Sequence, residues 1–260
     1  MSLLTHSLTV SFDTAAAAPV LDGVDFALEA GRFDMIVGAN GAGKSTLLRS
    51  MAGLITPQKG TVSLDNRSLR EMPLAERARH IGFLPQEISP AFAYSVAETV
   101  ALGARVAGLG HWFDHGLQGA AARAVDQALE QVDALSLKDR RLNELSGGER
   151  RRVLIASVLA QQPRYLLLDE PAAMLDLHHQ SELFGLLRRL AREGLGICCV
   201  THDWNLAVGF ADRLTVLHQN RILASGPPAE LLTAEILEAV FGDHFALLQH
   251  PDGRPLVVPK

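Results

Sequence analysis

The segment Gly38-Ala-Asn-Gly-Ala-Gly-Lys44-Ser45 carries the plainest chemistry in the sequence. Glycines at this spacing let the backbone wind so that successive N–H groups point inward at phosphate oxygens, and a following helix adds its positive end. Lys44 then reaches the β- and γ-phosphates of a nucleoside triphosphate, and the Ser45 hydroxyl suits Mg²⁺, a hard ion that takes oxygen ligands. Ala39, Asn40, Gly41, Ala42, Gly43 and Thr46 complete the candidate nucleotide-binding segment. A second element, Tyr165-Leu-Leu-Leu-Asp169-Glu170, is an apolar run that delivers two carboxylates at its end, where ligands of open α/β sheets bind. Asp169 suits the Mg²⁺ shell, and Glu170 is placed as general base toward a water attacking the γ-phosphate. On residue types alone, a Gly-rich turn with a surface Lys and a helix-start signal ahead of Pro171 stay open as alternatives.

These side chains need elements to aim them. Residues 33–37 read as a buried strand and residues 45–53 as a helix with Leu47, Leu48 and Met51 on its apolar face, so the Gly-rich loop joins strand to helix. Residues 8–12, 15–19 and 20–28 read as short strands of an antiparallel β subdomain, and 61–64 and 81–84 add two more. From about Glu87 to Leu145 the texture changes to helical spacing, with Ala121, Val125, Ala128, Leu129 and Val132 on one face, which predicts a helical insertion. Apolar runs at 165–168, 196–200 and 214–217 then alternate with helical patterns at 180–192 and 205–211, which predicts a mainly parallel sheet covered by helices. Beyond Gly242 the turn cluster at 251–255 predicts a short appended tail.

The 260 residues are 48% hydrophobic, 20% charged and 5% aromatic, enough to bury a sizeable core and far from the composition of disorder. A formal charge of −5 gives no broad attraction for nucleic acid. Cys198 and Cys199 are neighbours, which excludes a disulfide framework and fits a reducing compartment. The first ten residues alternate like a strand and lack the basic and apolar regions of a secretory signal. No apolar stretch approaches the roughly 20 residues of a membrane-spanning helix, so a soluble chain that docks on a membrane protein is expected.

Leu145-Ser146-Gly147-Gly148-Glu149 opens an arginine-rich helix, and by composition alone it is a helix cap with glycines. Its place about twenty residues before the Leu-Leu-Leu-Asp-Glu strand, after a phosphate loop and a helical insertion, resembles the ATP-binding-cassette (ABC) ATPases over nearly the whole chain. The resemblance implies a P-loop NTPase fold of ABC type. A RecA-like core with an antiparallel β subdomain would occupy residues 1–242, a helical subdomain about 87–160, and a short extension 243–260. It implies that Ser146, Gly147, Gly148 and Glu149 are the signature that meets ATP bound to another subunit, and that Leu175 and Asp176 form the D-loop at the dimer contact. Phe12 looks like the aromatic residue that stacks on adenine, with core filler as its alternative. Gln86 resembles the glutamine of the Q-loop, which reaches Mg²⁺ or the attacking water, and His202 the switch histidine at the γ-phosphate. Ala172 stands where Thr is common, which is expected to tune activity, and His178 and His179 are expected at the surface or in packing.

The same resemblance implies a head-to-tail homodimer that sandwiches two ATP molecules, ATP hydrolysis with Mg²⁺, and permease subunits as partners at the cytoplasmic face of the inner membrane. An extracytoplasmic substrate-binding protein would be an indirect partner, and nucleic acid none. Residues 175–180, 201–206, 211–213, 226–232 and 240–242 are most similar to importers of iron–siderophore complexes, haem and cobalamin. Another small metal-containing or oxyanion substrate is the alternative cargo, and an ATP-gated switch on nucleic acid or ribosomes is the alternative function. After Gln86, Phe92 and Tyr94 are expected either to line a groove for the membrane subunit or to pack the lobe junction.

Overall fold

The computed structural model of the chain describes residues 2–12, 18–87, 94–109 and 119–260. β1 (Ser2–Val10) and β2 (Leu21–Glu29) pair antiparallel and alternate buried with exposed residues over much of their length, as strands with one solvated face do. β3 (Phe33–Val37) is buried throughout and runs through the Gly-rich loop into α1 (Lys44–Met51). β4 (Lys59–Leu64) and the short β5 (Arg67–Ser68) complete a four-stranded antiparallel sheet of order β2-β1-β4-β5. Of the expected strand at 15–19, Ala18 and Pro19 are not in a strand and the rest lies outside the described residues.

α2 (Leu74–His80) leads into β6 (Ile81–Leu84), and the helical region follows with α3 (Val96–Val106), α4 (Gly119–Gln131) and α5 (Gly147–Leu159). The first of these starts on a capping box in which Ser95 and Glu98 satisfy each other's backbone N–H groups. It crosses α5 so closely that a Cβ on Gly103 would lie 1.8 Å from the Ser157 carbonyl oxygen, which only glycine permits.

β7 (Tyr165–Asp169), α6 (Leu177–Arg192), β8 (Gly196–Val200), α7 (Trp204–Phe210), β9 (Arg213–His218) and β10 (Arg221–Gly226) build the main sheet. Its order is β10-β9-β3-β8-β7-β6, parallel except at the β9–β10 edge. Side chains leave this sheet alternately toward two cores. Ile36, Leu167, Cys198 and Val200 join α1 and the antiparallel sheet, and Met35, Leu166, Leu168 and Cys199 join the helices of the other face. The neighbouring cysteines therefore point apart, both as buried free thiols.

The end of the chain differs from the expected tail. After α8 (Pro228–Leu231) and α9 (Ala234–Phe241), β11 (Phe245–Gln249) and β12 (Pro255–Pro259) form a hairpin that packs on α9 and α7. The turn cluster at 251–255 is its connection, and Val257 is buried where it meets α7. Among the described residues, no helix is long and apolar enough to cross a membrane.

Candidate functional site

β3, β8, β7 and β6 lie side by side and run parallel, so their C-terminal ends open on one edge of the sheet. That edge receives the Gly38 loop from β3, Thr201 and His202 from β8, Asp169 and Glu170 from β7, and Gln86 from β6. Packing fixes the loop's path. At Gly38, with φ +151°, a Cβ would lie 2.0 Å from the Leu217 carbonyl oxygen, and at Gly43, with φ +99°, 2.6 Å from that of Val20. Lys44 folds over this loop and is buried, its Nζ donating to the Gly38 and Ala39 carbonyl oxygens at 2.8 and 3.0 Å. Burial lowers its pKa, against the pull of Glu170 and Asp169. Asn40 and Gly41 are exposed, Ala42 is buried, and Thr46 is half-buried in the first turn of α1.

Ser45 Oγ donates to Asp169 Oδ1 at 2.8 Å, so the two candidate metal ligands already share one point. Asp169 is buried, and desolvation raises its pKa while the Ser45 bond and Arg49, 4.0 Å away, hold it down. A hydroxyl beside a carboxylate is an all-oxygen donor set that fits Mg²⁺. Glu170 adopts φ +44°, and its Oε2 accepts from Gln86 Nε2 at 3.1 Å and stands 3.3 Å from His202 Nδ1. The structure thus brings Gln86 and His202 together on one carboxylate oxygen of Glu170. Phe12 is 69% exposed beyond the end of β1, so it is not core filler.

Ser146, Gly147, Gly148 and Glu149 lie elsewhere, at the start of α5. Ser146 caps the helix, its Oγ accepting from Glu149 N at 3.3 Å while Glu149 Oε2 accepts from Ser146 N at 2.8 Å. That backbone bond lowers the Glu149 pKa. Asp176 caps α6 in the same way and also binds His179 Nδ1 at 2.8 Å. Leu175 is half-buried against the core, and the His179 ring lies on Gly148, where a Cβ would come within 2.6 Å of Cδ2. His178 is exposed beside Glu182, and Ala172 is buried in the core. Tyr94 is exposed, and Phe92 lies outside the described residues.

One residue of the site escaped the sequence reading. Arg151 on α5 is buried beneath the catalytic edge, with Nη1 near the Pro85 and Gln86 carbonyl oxygens at 3.5 and 3.4 Å and Nη2 3.4 Å from that of Asp169. Burial pulls its pKa down to about 10, which leaves it charged at neutral pH. Helical spacing held the signal: Arg151 shares a face with Leu154, Ile155 and Val158.

The fold and this edge define an ATP-binding cassette, and comparison with known proteins agrees. Residues 21–173 match the model of the family described as ABC transporter. The chain is 39% identical to the hemin import ATP-binding protein HmuV of Bordetella pertussis, over all of both chains. It is also 39% identical to that of Rhodococcus jostii, covering 95% of this chain and 83% of the relative. A transporter described as of the metal-chelate ABC type, in an inward-facing conformation, superposes with TM-score 0.83 at 28% identity, over 100% of this chain and 97% of its own. A bacterial ABC transporter cassette solved as a dimer gives 0.73 at 26% identity, over 87% and 98%. The chain belongs to the ABC transporter family. Within that family it is an ATP-binding subunit whose activity is ATP hydrolysis coupled to transport.

Proposed function

We propose that this chain powers a haem importer as a homodimer bound to the cytoplasmic face of permease subunits, which receive cargo from an extracytoplasmic binding protein. The observation that carries the hydrolytic part is the meeting of Gln86 and His202 on Glu170 Oε2. Phosphate positioning falls to Lys44 and the N–H groups of the Gly38–Ser45 loop, with Thr46 alongside and Phe12 against the adenine. Ser45, Asp169 and Gln86 would hold Mg²⁺, which when bound neutralises charge developing on the β- and γ-phosphate oxygens. Glu170 takes the proton of the attacking water as its oxygen bonds to the γ-phosphorus and the bond to the ADP oxygen breaks. Gln86 orients that carboxylate and water, and His202 meets the γ-phosphate. Ser146, Gly147, Gly148 and Glu149 of each copy face the ATP of the other, where the positive end of α5 attracts phosphate. Leu175 and Asp176 border the same contact.

Haem is favoured as cargo by the names of the relatives, each a hemin import ATP-binding protein. Iron–siderophore complexes and cobalamin are the competing cargoes. The test is ATP-driven uptake into vesicles that contain the chain with its permease and binding protein, offered haem, a ferric siderophore or cobalamin in turn. Accumulation of haem alone is expected; uptake of another cargo without haem contradicts the proposal.

A further inference from the structure

His202 is 65% exposed on its side chain, so its aim is set by the backbone and its contact with Glu170 and not by packing around the ring. That backbone is short. Only Thr201, His202 and Asp203 separate the end of β8 from the start of α7. On one side Thr201 N donates to the Ile36 carbonyl oxygen at 3.1 Å, which fixes the turn to β3. On the other, Asp203 caps α7 through Leu206 N at 2.9 Å, so the turn follows wherever that helix lies.

Of the first two residues of α7, Asn205 is held by the C-terminal hairpin directly and Trp204 through Phe241 of α9. Asn205 Nδ2 donates to the Val257 carbonyl oxygen at 3.0 Å, and Val257 N donates back to Asn205 Oδ1 at 2.8 Å. Val257 thus turns both backbone groups away from β11 and spends them on one amide of α7. Trp204, almost fully buried, meets Phe241 edge to face at 5.4 Å, and Phe241 meets Phe245 at 4.8 Å. The hairpin is itself closed at its base by the Lys260–Asp243 pair and at its turn by Arg254 Nε on Asp252 at 2.7 Å. A lone two-stranded hairpin is marginal in water, so this one is ordered by its docking, and α7 is held by it as well as by β3, α6 and α8.

We infer that the C-terminal hairpin clamps α7 and thereby aims the His202 turn, with Asn205 as the positioning residue. The inference rests on the reading of His202 as the γ-phosphate contact. A clamp of this kind acts after ATP has bound: a reacting group misplaced by about 1 Å costs up to roughly 10²-fold in rate while ground-state binding is kept.

The experiment measures ATP turnover and KM of the full chain carrying Asn205→Ala, Val257→Pro or both. Val257→Pro removes the backbone donor without touching α7. Each single variant is expected to lower kcat about tenfold with the ATP KM within about twofold of the parent. The double variant should be no worse than the more damaged single, as for partners in one contact. In a Trp112→Phe background, the emission of Trp204 should shift on ATP addition and lose that response in Asn205→Ala. Unchanged kcat with a lowered melting temperature overturns the inference, because the hairpin would then only stabilise the fold. His202→Ala, run in parallel, separates the two readings. Wild-type turnover there removes the His202 assignment and the clamp with it; lost turnover there beside a normal Asn205→Ala removes the clamp alone.

Discussion

At the ends of β3, β6, β7 and β8 the charged and polar side chains answer one another within the chain: Lys44 on the loop carbonyls, Ser45 on Asp169, and Gln86 and His202 on Glu170. At the starts of α5 and α6 the pattern is reversed. There Ser146 with Glu149 and Asp176 with His179 close helix caps, and the adjoining Met174 and Leu177 are 97% and 81% exposed. On the proposed reading, the first region handles the γ-phosphate and water, and the second is a surface that meets the ATP of another copy. His179 joins the two outward segments into one body by touching both Asp176 and Gly148.

Breaking the first region should have the largest effect. Glu170→Gln keeps the shape and removes the base, so turnover should fall by about 10²- to 10⁴-fold while ATP still binds, and the chain should collect as an ATP-bound dimer on gel filtration. Near-normal hydrolysis would mean that Glu170 is not the base. Lys44→Ala strikes binding itself: charge-assisted contacts contribute roughly 1.5–3 kcal/mol, so ATP affinity should drop about 10- to 100-fold in a titration. An unchanged affinity would reduce the Gly38–Ser45 segment to a turn.

The outward region should respond more gently. In His179→Ala, the ATP concentration needed to form the dimer should rise about fivefold, the size of one exposed hydrogen bond, with ATP affinity of the monomer unchanged. His179→Asn keeps a donor near the Nδ1 position and should restore most of the loss; equal behaviour of the two variants would separate the D-loop from the signature.

The smallest effect on turnover is expected at the other end of β3. Asp34 is fully buried beside Arg32, with Arg32 Nε on its Oδ1 at 2.7 Å, and burial outweighs that pairing to raise its pKa to about 6 from an ordinary 3.8. The folded chain therefore holds this proton more tightly than the unfolded chain does. Stability from this group is greatest below about pH 4 and declines as pH rises to about 6, by roughly 3 kcal/mol. Asp34→Asn should flatten that part of the urea-stability profile between pH 4 and 7 and leave ATP turnover near the parent; parallel profiles would show that Asp34 is ionised throughout.

Much of the candidate site is legible in the sequence because its parts are contiguous. A Gly-rich loop between strand and helix, and an apolar run ending in two carboxylates, each declare their chemistry within ten residues. Gln86, His202 and Phe12 carry no such local signal and were placed only through resemblance to a family. Arg151 was hidden by its neighbours Arg150 and Arg152, since a run of three like charges reads as solvated even though helical spacing puts one of them inside. The sequence pattern predicts only a tail where the C-terminal hairpin stands, because its strands are five residues each and its docking depends on Asn205, 52 residues before its partner Val257. Contacts of that span leave no periodicity to find.

The central claim is that each ATP is completed by two copies of the chain, and mixing two defective variants tests it most directly. Lys44→Ala spoils the phosphate loop and Ser146→Arg the signature, so a dimer of either variant alone has two defective sites. A mixed dimer carries both defects in one site and an intact Lys44 and Ser146 in the other. Purified separately, each variant should hydrolyse almost no ATP, and an equal mixture should regain up to about a quarter of wild-type turnover per chain, as random pairing of a head-to-tail dimer gives. Failure to regain activity at any mixing ratio, or full turnover by Ser146→Arg alone, would contradict the composite site.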